Sequence, residues 1–255
     1  PTSYHMKFIA IIPARYASTR FPAKPLALLG NKTIVQHVYE KVCAVIPDTF
    51  VATDDERIFQ AVEDFGGKAV ITSRHHRSGT DRCEEAAAKC GIVADVVVNV
   101  QGDEPFIHPS QLESIMSCFN NPKTDIATLV MPFDKNADFE TLQNPNSPKV
   151  VIGNDNRALY FSRSVIPYVR GVDEREWIKT HTFYKHIGLY AYRRHVLRQI
   201  TALPTGNLER AESLEQLRWI EAGYRIEVGY TDIATIGIDT PEDLQRAEDF
   251  LRSVQ

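Results

Sequence analysis

The residues best placed to do chemistry begin in the stretch IIPARYASTRFPAKPLALLG (residues 11–30), where Arg15, Arg20 and Lys24 occur with no acid beside them. No Asp or Glu precedes Glu40, whereas Lys7, Arg15, Arg20, Lys24 and Lys32 are all basic. A guanidinium offers phosphate a planar fork, and an ammonium adds a compact point charge. Three such cations beside exposed loop amides suit a triphosphate better than they suit a merely solvated loop. The stretch contains neither GxGxxG nor GxxxxGK[ST], so a dinucleotide dehydrogenase and a P-loop kinase both lose their main support.

Three more polar segments can join it. In NVQGDEP (99–105), Asp103 follows an apolar run. A carboxylate there can hold Mg²⁺ against phosphate oxygens, or simply open a turn before Pro105, and the spacing favours neither reading. In GIDTPED (237–243), Thr240 reads as a helix N-cap, Pro241 as the first helical residue and Asp243 as a capping partner. That leaves Asp239 without a structural task, as a second carboxylate to face Asp103. In HRSGTDRCEE (76–85), Ser78, Thr80 and Arg82 surround a glycine at a helix start. They could read a nucleobase edge, but a cap by Ser78 or Thr80 is the simpler account.

The elements that must position these residues follow from the apolar pattern. KFIAIIPA, TFVATD, KAVIT and DVVVNV are runs without clean alternation, as in strands buried on both faces of a parallel sheet. Helical patterns separate them in TIVQHVYEKVCAV, DERIFQAVEDFGG and TDRCEEAAAKCG, the last ending on a glycine suited to a C-cap. This alternation predicts an α/β fold with a mixed, mainly parallel open sheet flanked by helices, and such sheets bind ligands outside the carboxyl ends of their strands. After Asp134 the pattern loosens. VVIGNDNRALYF predicts two strands joined by a turn, HIGLYAY and RIEVGYT predict strands, and LERAESLEQLRWIEAGY and TPEDLQRAEDFLRSV each predict one helix. We expect one domain over residues 7–255, with an inserted lobe at about 134–190 suited to oligomer contacts. Residues 1–6 (PTSYHM) are set aside as a cloning remnant or disordered start, with Met6 as the natural first residue.

Composition narrows the class. The 255 residues carry a formal net charge of −4, which argues against a nucleic-acid or membrane-surface binder. Four cysteines without a CxxC pair suggest reduced thiols in a cytoplasmic protein. No run approaches a membrane span and no signal-peptide pattern is present. His37, His75, His76, His108, His181 and His195 show no metal-ligand spacing and are expected to be surface or structural residues. Trp177 and Trp219 are expected in packing or interfaces.

Seven segments in order, IIPARYASTRFPAKPL, SGTDR, NVQGDEP, ALYFSRSVIP, KHIGLYAYRR, LEQLR and GIDTPEDL, closely resemble the 3-deoxy-manno-octulosonate (Kdo) cytidylyltransferases over about residues 8–246. The opening motif alone indicates the wider nucleotide-diphospho-sugar group, and YFSR and LEQLR narrow it. The resemblance implies reaction of CTP with Kdo to give CMP-Kdo and pyrophosphate. It implies that Arg15, Arg20 and Lys24 hold the CTP phosphates, with Ser78, Arg82 and Gln101 around the nucleotide. Asp103 and Asp239 would be Mg²⁺ ligands, and Arg15, Lys24 and Asp103 catalytic. Gln101, Arg163, His186, Tyr190, Glu212, Glu215 and Gln216 would bind the sugar, with Arg163 on its carboxylate. No side-chain base for the sugar hydroxyl is evident, so the metal is expected to lower its pKa. A homodimer through the lobe, no nucleic-acid partner, no membrane insertion and a cytoplasmic role in lipopolysaccharide synthesis are implied as well. Two departures from the family pattern, Asp81 for Glu in SGTDR and Ala23 for Gly in FPAKP, remove no needed charge, although Ala23 stiffens the loop. A cytidylyltransferase for another acidic sugar, a UTP-dependent enzyme, and a nucleotide-sensing module without turnover are the alternatives.

Overall fold

A computed structural model describes residues 5–255. The expectation for residues 1–4 of the set-aside start lies outside them. The chain divides into two compact units, 1–112 with 191–201 and 235–255, and 113–190 with 202–234. The lobe expected at about 134–190 lies within the second unit, which begins earlier and takes in a later segment as well.

The first unit begins with β1 (Phe8–Pro13), followed by the short strands β2 (Leu28–Leu29) and β3 (Lys32–Thr33). Then come α1 (Ile34–Cys43), β4 (Thr49–Thr53), α2 (Glu56–Asp64), β5 (Ala69–Ile71), α3 (Gly79–Lys89) and β6 (Val96–Asn99). The order β6-β1-β4-β5 is parallel throughout. Ile9 to Ile12 and Val96 to Val98 are fully buried, which explains why these strands read as unbroken apolar runs. With β4 on one side of β1 and β6 on the other, successive crossovers leave β1 in opposite directions. The carboxyl ends of β1 and β6 therefore form the switch point at which open α/β sheets bind ligands.

The second unit holds β7 (Ile126–Pro132), β8 (Lys149–Ile152), β9 (Ala158–Ser162), β10 (Tyr184–Arg193, its last three residues in the first unit) and β11 (Ile226–Tyr230). β7 and β11 are parallel, whereas β8 runs antiparallel to both β9 and β10, so the sheet is mixed. Leu142, Trp177, Ile178 and Phe183 form an apolar cluster in this unit, and Trp219 is also buried. β7, which no signal in the sequence analysis marked, falls just before Asp134, where the pattern loosens. A single helix was predicted over LERAESLEQLRWIEAGY, and this is corrected to two short helices, Asn207–Glu212 and Gln216–Glu221. The break is at Ser213, in the left-handed region at φ 53°. There the backbone carbonyls of Glu212 and Ser213 accept hydrogen bonds from Arg163, which a continuous helix would have used internally.

The closing helix Pro241–Ser253 starts as predicted, with reciprocal bonds between Thr240 and Asp243 and Pro241 in its first turn. It packs into the first unit through a cluster of Leu29, Ile34, Ile238 and Ala247, flanked by Phe21 and Phe106. Among the described residues no helix is long and apolar enough to cross a membrane.

Ala23 sits at φ 58°, ψ 22°, just before the turn that begins at Lys24. A β-carbon disfavours this region, and glycine there gives back part of the gain through unfolded-state entropy. Ala23→Gly should therefore raise unfolding free energy by up to about 1 kcal/mol, measured by urea titration.

Candidate functional site

The basic loop leaves β1 under tight local control. Ala14 N–H donates to Ala52 O at 2.9 Å, and Ala23 N–H closes the loop onto Tyr16 O at 2.9 Å. The Arg57 guanidinium lies 3.5 Å from the Tyr16 ring centroid, stacking on the loop from α2. Beyond β6 the chain turns at Gly102, where a β-carbon would stand 2.8 Å from Pro13 O. Only glycine lets the two strand exits approach this closely. A third segment is tied in by Ile238 N–H, which donates to Asp103 O at 2.9 Å. Lys41 donates to Pro105 O and lies over the Phe106 ring, fixing the far side of the same turn.

These exits enclose a cavity of about 470 Å³ within the first unit. Arg15, Arg20, Lys24, Ser78, Arg82, Gln101, Asp103 and Asp239, all marked from sequence, line it together. Sequence reasoning missed Arg77 and His76, which also line it. His76 was expected to be merely surface or structural. It stands in the segment before Ser78, with Nε2 2.8 Å from Glu85 Oε1, and its position next to SGTDR was the available signal. Among the described lining residues, Arg15, Arg20, Lys24, Arg77 and Arg82 set five positive charges against the carboxylates of Asp103 and Asp239. The cavity thus suits a polyanion, although the whole chain is acidic.

Lys24 is the centre of this charge pattern. Its Nζ is 3.2 Å from Asp103 Oδ2 and 3.8 Å from Asp239 Oδ1. Burial raises the Asp103 pKa and the Asp239 charge adds to the rise, while Lys24 opposes it. Burial, with the charges of Asp103 and Asp239, pushes neighbouring Glu104 up to about 8. Like charges are thus held close with one ammonium between them. Two carboxylates converging on one cation are the hard oxygen donors that Mg²⁺ takes, usually from one or two carboxylates with water and substrate phosphates completing the shell. Among the described residues no group of three or more His, Cys, Asp or Glu side chains is arranged to hold a metal ion.

Ser78 serves two ends. Its Oγ accepts from Asp81 N–H at 3.1 Å as the cap of α3, the simpler account favoured from sequence, and the residue also lines the cavity. Arg82 is almost wholly buried and donates from Nη1 to Thr72 Oγ1 at 2.6 Å and to Ser73 O at 3.0 Å.

The remaining marked residues lie in the second unit. Arg163 is anchored by all three nitrogens, to the carbonyls of Glu212, Pro145 and Ser213 at 2.5, 2.8 and 3.0 Å. Each terminal nitrogen retains one further N–H. Glu212 accepts from Tyr160 OH, Ser162 Oγ and Arg163 N–H at 2.9, 2.8 and 2.7 Å. Tyr190 packs edge-on against Trp219 at 5.2 Å, and burial, with the Glu215 charge, raises its pKa. Gln216 is buried with Nε2 lacking a partner among the described residues, a donor left for an acceptor. His186 packs edge-on against Phe161 at 5.0 Å, and burial pushes its pKa from 6.5 down to about 4.

A sheet whose parallel strands end at a switch point with a cationic, carboxylate-bearing cavity belongs to the nucleotide-binding class of open α/β folds. A family model described as cytidylyltransferase matches residues 9–226. A 3-deoxy-manno-octulosonate cytidylyltransferase of Bacteroides thetaiotaomicron is 63% identical over 248 residues, covering 97% of this chain and 99% of that protein. One of the same name from Phocaeicola vulgatus is 64% identical over 247 residues, covering 97% and 98%. The solved CMP:2-keto-3-deoxy-manno-octonic acid synthetase complexed with CTP superposes at a TM-score of 0.89 with 41% identity, covering 98% of this chain and 100% of that one. This chain belongs to the cytidylyltransferase family and, within it, to the 3-deoxy-manno-octulosonate cytidylyltransferases.

The lowered His186 pKa makes stability depend on acidity. The unfolded chain takes up this proton near pH 6.5 and the folded chain only near pH 4, so stability falls as pH drops through that window. Urea titrations between pH 7 and pH 4 should show a loss in the native chain that exceeds that in His186→Gln by about 1–3 kcal/mol.

Proposed function

We propose that the protein transfers the CMP moiety of CTP to 3-deoxy-manno-octulosonate, releasing pyrophosphate. The observation that carries this reading is the cationic switch-point cavity with its paired carboxylates, in a chain 63% identical to a protein of that name over nearly its whole length. In the reaction, the sugar's C2 hydroxyl oxygen bonds to the α-phosphorus of CTP. The bond from that phosphorus to the α,β-bridging oxygen breaks, pyrophosphate leaves with the electron pair, and the hydroxyl proton passes to water. Such transfers need positioning and charge stabilisation more than covalent help.

Arg15, Arg20 and Lys24 hold the phosphates. Lys24 and Arg15 offset charge growing on the α-phosphate and on the leaving group. Ser78, Arg82 and Gln101 orient the nucleotide. Gln101, Arg163, His186, Tyr190, Glu212, Glu215 and Gln216 bind the sugar, and the unused N–H groups of Arg163 suit its carboxylate. Asp103 and Asp239 would hold Mg²⁺, which when bound supplies positive charge for phosphate oxygens and lowers the pKa of a hydroxyl. The resemblance extends the reading to a cytoplasmic homodimer that supplies activated sugar for lipopolysaccharide.

Pyrophosphate release from the purified protein should occur with CTP, and not with UTP, ATP or GTP, only when Kdo and Mg²⁺ are both present. Release with another acidic sugar in place of Kdo would move the substrate, and silence with every sugar despite CTP binding would overturn catalysis. Asp103→Ala should lower turnover by about a thousandfold or more while circular dichroism stays native. Undiminished release would remove the metal assignment.

A further inference from the structure

Thr128, on β7, is fully buried, and its single hydroxyl has three neighbours. The Leu189 and Ile187 carbonyls stand 2.8 and 3.2 Å from Oγ1, and His186 Nε2 stands 2.9 Å away. Carbonyl oxygens can only accept, and an oxygen–oxygen approach of 2.8 Å is attractive only with a proton between. The hydroxyl proton therefore goes to the backbone of β10, and the hydroxyl oxygen can meet Nε2 only as an acceptor. The imidazole then carries its proton on Nε2 and bears a lone pair on Nδ1.

The ring is also held in place. Phe161 packs edge-on against it at 5.0 Å, and Tyr190 lies tilted at 5.5 Å. Burial keeps it neutral across the ordinary working range, so the lone pair persists there. A ring so fixed accepts from a hydroxyl and repels a carboxylate or phosphate oxygen. We propose that Thr128 is a positioning residue that locks His186 in the Nε2–H tautomer, so that Nδ1 accepts a hydrogen bond from a hydroxyl of the sugar substrate. The choice of substrate rests on the function proposed above; the tautomer does not.

Two readouts test this. Nitrogen-15 NMR of the His186 ring in the native protein should show Nε2 protonated and Nδ1 bare between pH 6 and pH 8. Finding Nδ1 protonated would overturn the assignment whatever the enzyme turns over. Thr128→Val keeps the shape and removes the hydroxyl, and should raise KM for Kdo about five- to tenfold while KM for CTP and kcat stay within about twofold. Thr128→Ser should restore both KM and the native ring shifts, a rescue that general loosening of the sheet would not give. If Thr128→Val fails to fold, the native spectrum and Thr128→Ser still decide the matter. An unchanged KM for Kdo in Thr128→Val, with the tautomer lost, would overturn the sugar contact. Absence of any Kdo turnover in the native protein would count against the proposed function and leave the spectrum to judge the tautomer.

Discussion

The first unit is organised around an electrostatic conflict, in which two carboxylates are held near one another with a single ammonium between them. Asp103 and Asp239 lie far apart in sequence, and left to themselves they would separate. The backbone prevents it. The Ile238 N–H bond to Asp103 O ties the two segments, and the Gly102 approach to Pro13 O ties the Asp103 turn to the exit of β1. Lys24 arrives from the loop after β1, so one ion cluster records the meeting of three separate chain segments. The apolar packing of Leu29, Ile34, Ile238 and Ala247 holds the same arrangement from behind.

Around Arg163 and Glu212 in the second unit the polar groups are governed by satisfaction rather than by conflict. Glu212 accepts three hydrogen bonds and Arg163 makes three to backbone carbonyls, so each fixes the other's surroundings. The left-handed Ser213 is part of that bargain between helix and side chain, because straightening it would withdraw two acceptors from the guanidinium. Thr128 and His186 repeat the principle on a smaller scale, with the donor count of one hydroxyl deciding where a proton sits.

Much of the first unit was legible in the sequence because its strands are buried on both faces. Ile9 to Ile12 and Val96 to Val98 leave a period-free apolar mark, and Thr240, Pro241 and Asp243 announce a helix start by local bonding alone. The gathering of Arg15, Lys24, Asp103 and Asp239 was suggested by residue type and by the placing of strand ends, and the paired-carboxylate reading rested on resemblance. Less could be read where long-range partners decide. The Ser213 break depends on Arg163, some fifty positions earlier, so no local helix signal betrays it. His76 looked ordinary because its place beside the cavity comes from the turn before Ser78 and not from its spacing to other histidines. The state of the His186 ring depends on a threonine on a different strand.

The concentration of cations in a chain of net charge −4 bears on how an anionic nucleotide reaches the cavity. From afar, such a molecule meets a weakly repulsive body. In a salt solution of physiological strength charges are screened beyond about 8 Å, so the five cations are felt only once a phosphate is nearly at the mouth. Within that distance the five cations act together on an arriving phosphate, and beyond it the surrounding salt hides them.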